Sequence, residues 1–352
     1  MRDGKLFDVL IVGAGPAGSS AARVAAEAGA EVLVVEKRRR IGEPVRCAEY
    51  VPRLLAQTVK IPPEAIAQEI RGMITFLPGG EQIRKAAPGF ILNRAKFDRA
   101  LAGAAEKAGA EILTGTKAIS REGDRVRIKG PSGDGEVRAS VIIGADGPHS
   151  VVGSWIGQNN RKFLWAIQHT VELKEPAHDT EVYLGKEYPG GYAWLFPKGR
   201  LANVGVGIQM ALGGPVKQAL KTFKERLGDR IGEVVGVTTG YIPAGGPLPS
   251  IDEDARIILV GDAAGQTHAI TGGGIPQAVI CGAMAGRAAA VSAGGDTQAF
   301  KDYLHQWRNA FGSVLDKAAE KRMELEEEWN GGDPVELLRR CWVACREYYN
   351  DS

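Results

Sequence analysis

Two pieces of what reads as a single cofactor site lie far apart in this 352-residue chain, and any fold must bring them together. The first, DVLIVGAGPAGSSAARVAAEAGAEVLVVEK at residues 8–37, reads as strand, glycine turn, helix, strand and acid. Leu10, Ile11 and Val12 form a buried run, Gly13, Gly15 and Gly18 make the turn into the helix, and Glu36 closes the second strand. The first glycine permits the tight turn, the second lets a pyrophosphate approach the backbone, and the third lets helix and strand pack closely. The helix N-terminus faces the phosphate charge. An acid at Glu36 suits the hydroxyls of an adenosine ribose. A lone glycine turn would be weak, but strand, helix, strand and acid together make a dinucleotide fingerprint.

The second piece, ARIILVGDAAGQTHAITGGGIPQAV at residues 255–279, selects the dinucleotide. Residues 256–260 read as a strand ended by Gly261 and Asp262, and Thr271, Gly272, Gly273 and Gly274 open a helix. A carboxylate at a strand end suits the ribityl hydroxyls of a flavin. A glycine-rich helix start aims free N–H groups and a positive dipole end at whatever lies beyond it. Such a corner stabilises the negative charge of a reduced flavin, which a nicotinamide enzyme does not need. The expected cofactor is FAD.

Bulk properties set limits. A net charge of +2 is too balanced to argue for nucleic acid. Four cysteines (Cys47, Cys281, Cys341, Cys345) make no disulfide framework in a chain this long, so a reducing cytoplasm is expected. Cys341 and Cys345, one helical turn apart, read as core thiols; no histidine supports a metal there, and none is expected. The chain enters a strand almost at once, so no signal peptide is expected. No apolar stretch is long enough to span a bilayer, which leaves membrane contact peripheral, at the inner face.

The class is α/β, α+β overall. Helix and strand periodicity assign residues 1–50, 90–160 and 250–295 to a discontinuous FAD-binding domain and 296–352 to a C-terminal helical segment. Residues 51–89 and 161–249 form a substrate domain. Within it FLWAIQHTVEL, TEVYLG, GYAWLFP and LANVGVGI alternate like strands of an antiparallel sheet with one buried face. Trp165, Tyr192, Trp194 and Phe196 would roof an apolar substrate pocket, with ordinary core packing the alternative for each. KRRR at residues 37–40 reads as a solvated loop, and residues 94–109 as a helix with Phe97, Leu101 and Ala105 on one face.

These residues carry a resemblance. Over residues 8–290 the chain resembles the geranylgeranyl reductase family, flavoproteins that saturate prenyl double bonds within the wider p-hydroxybenzoate hydroxylase fold. The resemblance rests on GAGPAGSSAA, PVRCAE (residues 44–49), RAKFDRAL (94–101) and GADGPHSVVGSWIG (144–157). It rests also on YAWLFPK (192–198), GYIPAGGP (240–247), VGDAAG and TGGGI. It implies a Rossmann-like FAD-binding domain, an antiparallel-sheet substrate domain and C-terminal helices. It implies FAD contacts at Ala17, Glu36, Cys47, Ala48, Arg94, Ala118, Asp262, Gly274 and Ile275, with Asp146 and Gly147 near the cofactor. Lys37 and Arg46 flank two of these and are counted with them. The YxWxFP string belongs to the substrate pocket, and Tyr50, where the family commonly has glycine, would narrow it.

The implied function is an FAD-dependent oxidoreductase acting on CH–CH groups, reducing the double bonds of a geranylgeranyl-type lipid. Reduced flavin supplies hydride. An isolated alkene also needs a proton, so the site must hold a carbocation-like charge and stay dry. Faces of Tyr192 and Trp194 suit that charge, and excluded water cannot capture it. Cys47, its thiol pKa lowered beside Arg46, and His268 are the two candidate proton donors. For Cys47 the alternative is packing against the flavin, and for His268 a capping or packing role. Rival readings are a flavin monooxygenase or halogenase, a non-redox flavoprotein resembling lycopene cyclases, and a flavin electron carrier docking to a protein or quinone. No second dinucleotide fingerprint is present, so the electron donor, NAD(P)H, ferredoxin or quinol, is expected to be a visitor. The sequence leaves the oligomeric state open.

Overall fold

The computed structural model describes residues 5–331 and 333–350. The chain begins β1 (Leu6–Val12), α1 (Pro16–Glu27), β2 (Val32–Glu36), β3 (Tyr50–Pro52), β4 (Ile66–Phe76) and β5 (Gln82–Leu92). It continues with α2 (Arg94–Lys107), β6 (Glu111–Thr114), β7 (Lys117–Glu122), β8 (Arg125–Gly130), β9 (Gly133–Gly144) and α3 (Val151–Trp155). Next come β10 (Phe163–Leu173), β11 (Asp179–Tyr183), β12 (Tyr192–Lys198), β13 (Leu201–Ile208), α4 (Val216–Leu227) and β14 (Ile231–Pro243). It ends with β15 (Ile251–Asp252), β16 (Ile257–Leu259), α5 (Ile275–Ala293), α6 (Gln298–Trp307), α7 (Ser313–Glu328) and α8 (Pro334–Cys341).

The first sheet runs β15-β16-β9-β1-β2-β6, with β8 and β7 added through β9. Strands β16, β9, β1, β2 and β6 pair in parallel. The C-terminal half of β1 is buried on both faces, which is why Val9 to Val12 read as an unbroken apolar run. The carboxyl ends of β1, β9 and β16 lie side by side, as the register of Val12 with Gly144 and of Leu259 with Gly144 shows. Ligands of open parallel sheets bind beyond such ends. Helix α5 packs across α1 at backbone distance: a Cβ at Gly282 or Gly286 would sit 2.3 Å from Ala17 O or 2.2 Å from Ala21 O.

The second sheet runs β14-β10-β13-β12-β11-β4-β5-β3. It is antiparallel, as expected, with one exception where β11 meets β4 in parallel. That pair joins two separate excursions of the chain, so no tight hairpin dictates its direction. The sheet also begins at Tyr50 and keeps β5 to Leu92, slightly beyond the boundaries read from sequence. Its outer face is covered by α4, whose buried Val216, Ala219, Leu220, Phe223 and Leu227 meet Val171, Leu195, Val204 and Val206. Its inner face turns toward the cofactor motifs.

Helix α6 buries Phe300, Tyr303 and Trp307 in the core of the first sheet. A π-helical turn, Arg308–Gly312, carries it into α7. Helix α8 ends at Cys341 and Trp342 is extended, so Cys345 does not lie one helical turn on, as expected from sequence. Both thiols are nevertheless buried, in a cluster with Leu77, Val182, Leu184, Trp342 and Tyr348 against the second sheet. No helix among the described residues is long and apolar enough to cross a membrane.

Candidate active site

Close approach shapes the glycine corner. Gly13 has φ +104°, and a Cβ there would lie 2.3 Å from Ala145 O at the end of β9. A Cβ at Gly18 would lie 1.9 Å from Gly13 O. Around Gly15, by contrast, nothing lies within 4 Å of a Cβ position, so backbone faces open space of the kind a pyrophosphate fills. Glu36 is buried and rigidly held: Oε2 accepts the Ala14 N–H at 2.8 Å and Oε1 the Arg38 N–H at 2.8 Å. Each oxygen keeps a lone pair for a ribose hydroxyl. Lys37 is exposed beyond the strand and reaches nothing in this corner. Its neighbour Arg38 is half-buried, donates to Pro44 O at 3.1 Å, and lies among Glu36, Arg46, Asp98 and Arg94. Burial, more than those charges, lowers its pKa. Within a basic run that reads as solvated loop, nothing in the sequence singles out Arg38.

Other cofactor candidates contribute unequally. Asp146 spends its carboxylate on α3, accepting from Ser150 Oγ at 2.5 Å and the Val151 N–H at 2.7 Å. Only its backbone, pressed against Gly13, reaches the corner, and Gly147 follows in the left-handed region at φ +89°. The Ala118 and Ala17 side chains are core, so each can offer a ligand backbone only. Asp262 accepts from Thr267 Oγ1 at 2.8 Å, and burial raises its pKa. Gly261 precedes it at φ +62°. A Cβ at Gly274 would lie 3.4 Å from Asp262 Oδ1, so the carboxylate and the start of α5 at Ile275 are adjacent. First-turn amides of a helix have no intrahelical acceptor, and Gly273 just before them gives its own N–H to Thr271 Oγ1 at 3.3 Å.

The loop at residues 44–49 is held by the second sheet. Thr238, Gln168, Gly205 and Trp194 stand in register across β14, β10, β13 and β12. Thr238 Oγ1 donates to Val45 O at 2.8 Å, and Gln168 Nε2 to Cys47 O at 3.2 Å. Trp194 Nε1 donates to Gln168 Oε1 at 3.1 Å, its ring covering Gly205 where a Cβ would meet Cζ2 at 2.3 Å. One row along, Asn203 Nδ2 donates to Ala48 O at 3.2 Å. Sequence reading missed both amides, since neither sits in a motif. Arg46 is exposed and does not face the Cys47 thiol as expected. Arg94 does, itself held by Asp98 through bonds of 3.0 and 3.1 Å. Burial raises the Cys47 pKa; Arg94 and the Glu49 N–H, 3.2 Å from Sγ, pull the other way without reversing it. The thiol therefore holds its proton at neutral pH.

Tyr192, Trp194 and Phe196 share the inner face. The Tyr192 ring lies 5.8 Å from that of Trp194 and 5.2 Å from that of Trp342, and its hydroxyl donates to Thr271 O. Leu184, Ile270, Leu338 and Cys341 pack with the buried Arg322 around Tyr192 and Trp342, leaving a void of only about 10 Å³. Tyr50 stands edge-on to Phe196 at 6.2 Å with its hydroxyl on Ala87 O at 3.0 Å. Trp165 does not join them. Three residues before Gln168 on one strand, it points to the opposite face and packs beside the α4 cluster. That outer face carries an open groove of about 640 Å³ lined by Ile167, His169, Lys217, Lys221 and Lys224, a sheet's thickness away from Cys47.

Of the two roles open to His268, its surroundings favour the cap over the proton donor. Burial lowers its pKa to about 4, Nδ1 accepts the Thr271 N–H at 3.3 Å, and Tyr348 OH lies 3.5 Å from Nε2. A ring neutral at pH 7 caps the 268–273 turn and has no imidazolium proton to give. Arg322 of α7, fully buried, grips that turn through Ala269 O at 2.7 and 3.0 Å and also binds Gly190 O. Its position in a polar helical tail concealed it.

A model of the geranylgeranyl reductase catalytic domain matches residues 165–242, and one of FAD dependent oxidoreductases matches residues 8–150. The digeranylgeranylglycerophospholipid reductase of Methanothrix thermoacetophila is 40% identical over 350 residues, covering 91% of this chain and 86% of that one. Its counterpart in Methanocaldococcus jannaschii is 34% identical over 347 residues, covering 92% and 87%. A solved geranylgeranyl bacteriochlorophyll reductase-like protein from Thermoplasma acidophilum superposes with TM-score 0.87 at 29% identity, over 97% of this chain and 92% of that one. A p-nitrophenol 4-monooxygenase from Pseudomonas putida, TM-score 0.73 at 18% identity over 94% and 91%, shares the fold alone.

Proposed function

This chain belongs to the geranylgeranyl reductase family, and on that premise we propose that it reduces the double bonds of geranylgeranyl chains carried on a glycerophospholipid. The observation that carries the reading is one sheet face on which an aromatic wall, Tyr192, Trp194 and Phe196, adjoins a loop bearing a protonated thiol. Glu36, the Gly15 backbone, Asp262 and the first amides of α5 would hold FAD. When bound, FAD supplies a hydride to one alkene carbon.

The chain's own part is the other half of the addition. The Cys47 Sγ–H bond breaks as its proton goes to the second carbon, and Arg94 and the Glu49 N–H stabilise the thiolate left behind. Faces of Trp194 and Tyr192 stabilise positive charge as it develops. Trp342, Leu338 and Ile270, packed tightly around Tyr192, keep water from reaching the aromatic wall from that side, where it would otherwise give an alcohol. Tyr50 packs edge-on against Phe196 at the other end of that wall. The electron donor is a visitor, NAD(P)H, ferredoxin or quinol, and a substrate resident in a bilayer is met from the aqueous side.

The test is anaerobic. Photoreduced protein mixed with a digeranylgeranyl glycerophospholipid should regain oxidised flavin absorbance while the lipid gains hydrogen by mass spectrometry. Absorbance that returns only on admitting oxygen would favour a monooxygenase, and absorbance that returns only with a redox protein or quinone would favour a carrier.

A further inference from the structure

Glu49 lies between the cysteine loop and both domains, and no motif assigns it a task. It is 2% exposed and has φ +73°, a left-handed conformation uncommon outside glycine. Such strain persists only where surrounding structure over-determines it. Five hydrogen bonds do so. Its N–H donates to Cys47 Sγ at 3.2 Å, and its C=O accepts the Leu92 N–H at 2.8 Å. Oε1 accepts the Arg94 N–H at 3.0 Å, the first orphan amide of α2. Oε2 accepts from Asn203 Nδ2 at 2.9 Å and from Lys198 Nζ. Lys198 ends the aromatic strand β12 and is itself largely covered, so it supplies the only full counter-charge in contact with this carboxylate among the described residues.

We propose that Glu49 is a positioning residue for the Cys47 thiol, and that Lys198 holds it in that role. The buried carboxylate pins the left-handed turn, and the turn aims the Glu49 N–H at sulfur. An N–H donated to sulfur favours thiolate over thiol, so the turn makes this half-buried thiol easier to deprotonate. The carboxylate's own charge acts in the opposite sense on Cys47, and Lys198 offsets it. The other charged or titratable groups facing the sulfur are Arg94, paired with Asp98 on α2, and Tyr192 on β12. Removing either partner of a buried pair leaves an unpaired charge, so the turn should fail in both single variants and recover when both charges go. This inference rests on the reading of Cys47 as proton donor for its consequence in turnover, but not for its effect on the thiol.

The experiment follows iodoacetamide alkylation of Cys47 by intact mass from about pH 7 to pH 12 in wild type, Glu49→Gln, Lys198→Met and the double variant, each as purified with its flavin. The other three cysteines are buried. In both single variants the midpoint of the rate profile should rise by about one pH unit, with kcat down about tenfold and KM little changed. The double variant should return toward wild type. A midpoint that falls in Glu49→Gln shows that the carboxylate acts only through its charge, and an unchanged midpoint shows that it acts on stability alone; either overturns the proposal. Should Glu49→Gln not fold, Lys198→Met and the charge-conserving Lys198→Arg decide it: a raised midpoint in the first and a wild-type profile in the second uphold it, and any other pair overturns it. Cys47→Ala with unimpaired turnover would remove the proton-donor reading and leave the alkylation result standing.

Discussion

The two sheets meet at the same site but build their sides of it from different materials. The first sheet presents backbone: Gly13, Gly15, Gly18, the ends of β9 and β16, and the amides opening α5, with Glu36 and Asp262 as side-chain specialists. The second presents side chains standing in rows across four strands: Thr238, Gln168 and Asn203 each reach one loop, and Trp194 braces Gln168. Backbone recognition demands particular residues at fixed spacing along a few turns, so it is local in sequence. Side-chain recognition across a sheet demands only that distant residues share a face and a register. The first kind breaks all at once; the second should erode one bond at a time.

The largest expected effect tests the backbone side. Gly13→Ala places a Cβ 2.3 Å from Ala145 O at φ +104°, and should cost more than about 3 kcal/mol and abolish flavin retention. A fully yellow, normally stable variant would break the contrast. Next, Cys47→Ala should lower turnover about 100-fold while flavin stoichiometry stays unchanged; turnover like wild type leaves the thiol as packing. Third is a pH effect at the junction of the two halves. His268 has a folded pKa of about 4, below its ordinary 6.5, so the unfolded state takes up the proton first. Its contribution is complete above pH 6.5 and is lost as pH falls through 4, at most roughly 3 kcal/mol. Urea unfolding at pH 7.5 and pH 4.5 should therefore show a steeper acid loss in wild type than in His268→Gln.

The smallest effects sharpen the side-chain half. Gln168→Leu leaves Trp194 Nε1 and Cys47 O unpaired, and should cost about 1–3 kcal/mol with a partial loss of turnover. Trp165→Phe, on the other face of the same strand, should cost under about 1 kcal/mol and leave turnover within about twofold. If the two variants behave alike, the faces do not divide the work.

Legibility followed the same line. The face of α2 formed by Phe97, Leu101 and Ala105 was readable because helical periodicity is a local signal, and all three are buried. The orientation of Trp165 was also latent in the strand period, since a spacing of three from Gln168 puts them on opposite faces. Grouping aromatics by type rather than by parity concealed it. Asn203, Arg322 and the Glu49 carboxylate had no such local signal: their partners lie at large separations in the chain, and each type is ordinarily a surface residue.

By itself the sequence determined the parallel nucleotide fold, its glycine corner and the choice of FAD, because glycine positions and apolar runs constrain backbone before any long-range contact forms. Only tertiary structure decided that Arg94 rather than Arg46 faces Cys47, that His268 is neutral, and that Glu49 pairs with Lys198 149 residues away. The physical reason is that burial and the approach of opposite charges set a group's protonation and reach. Both are properties of what surrounds a side chain once sheets have stacked, and neither is written beside it in the chain.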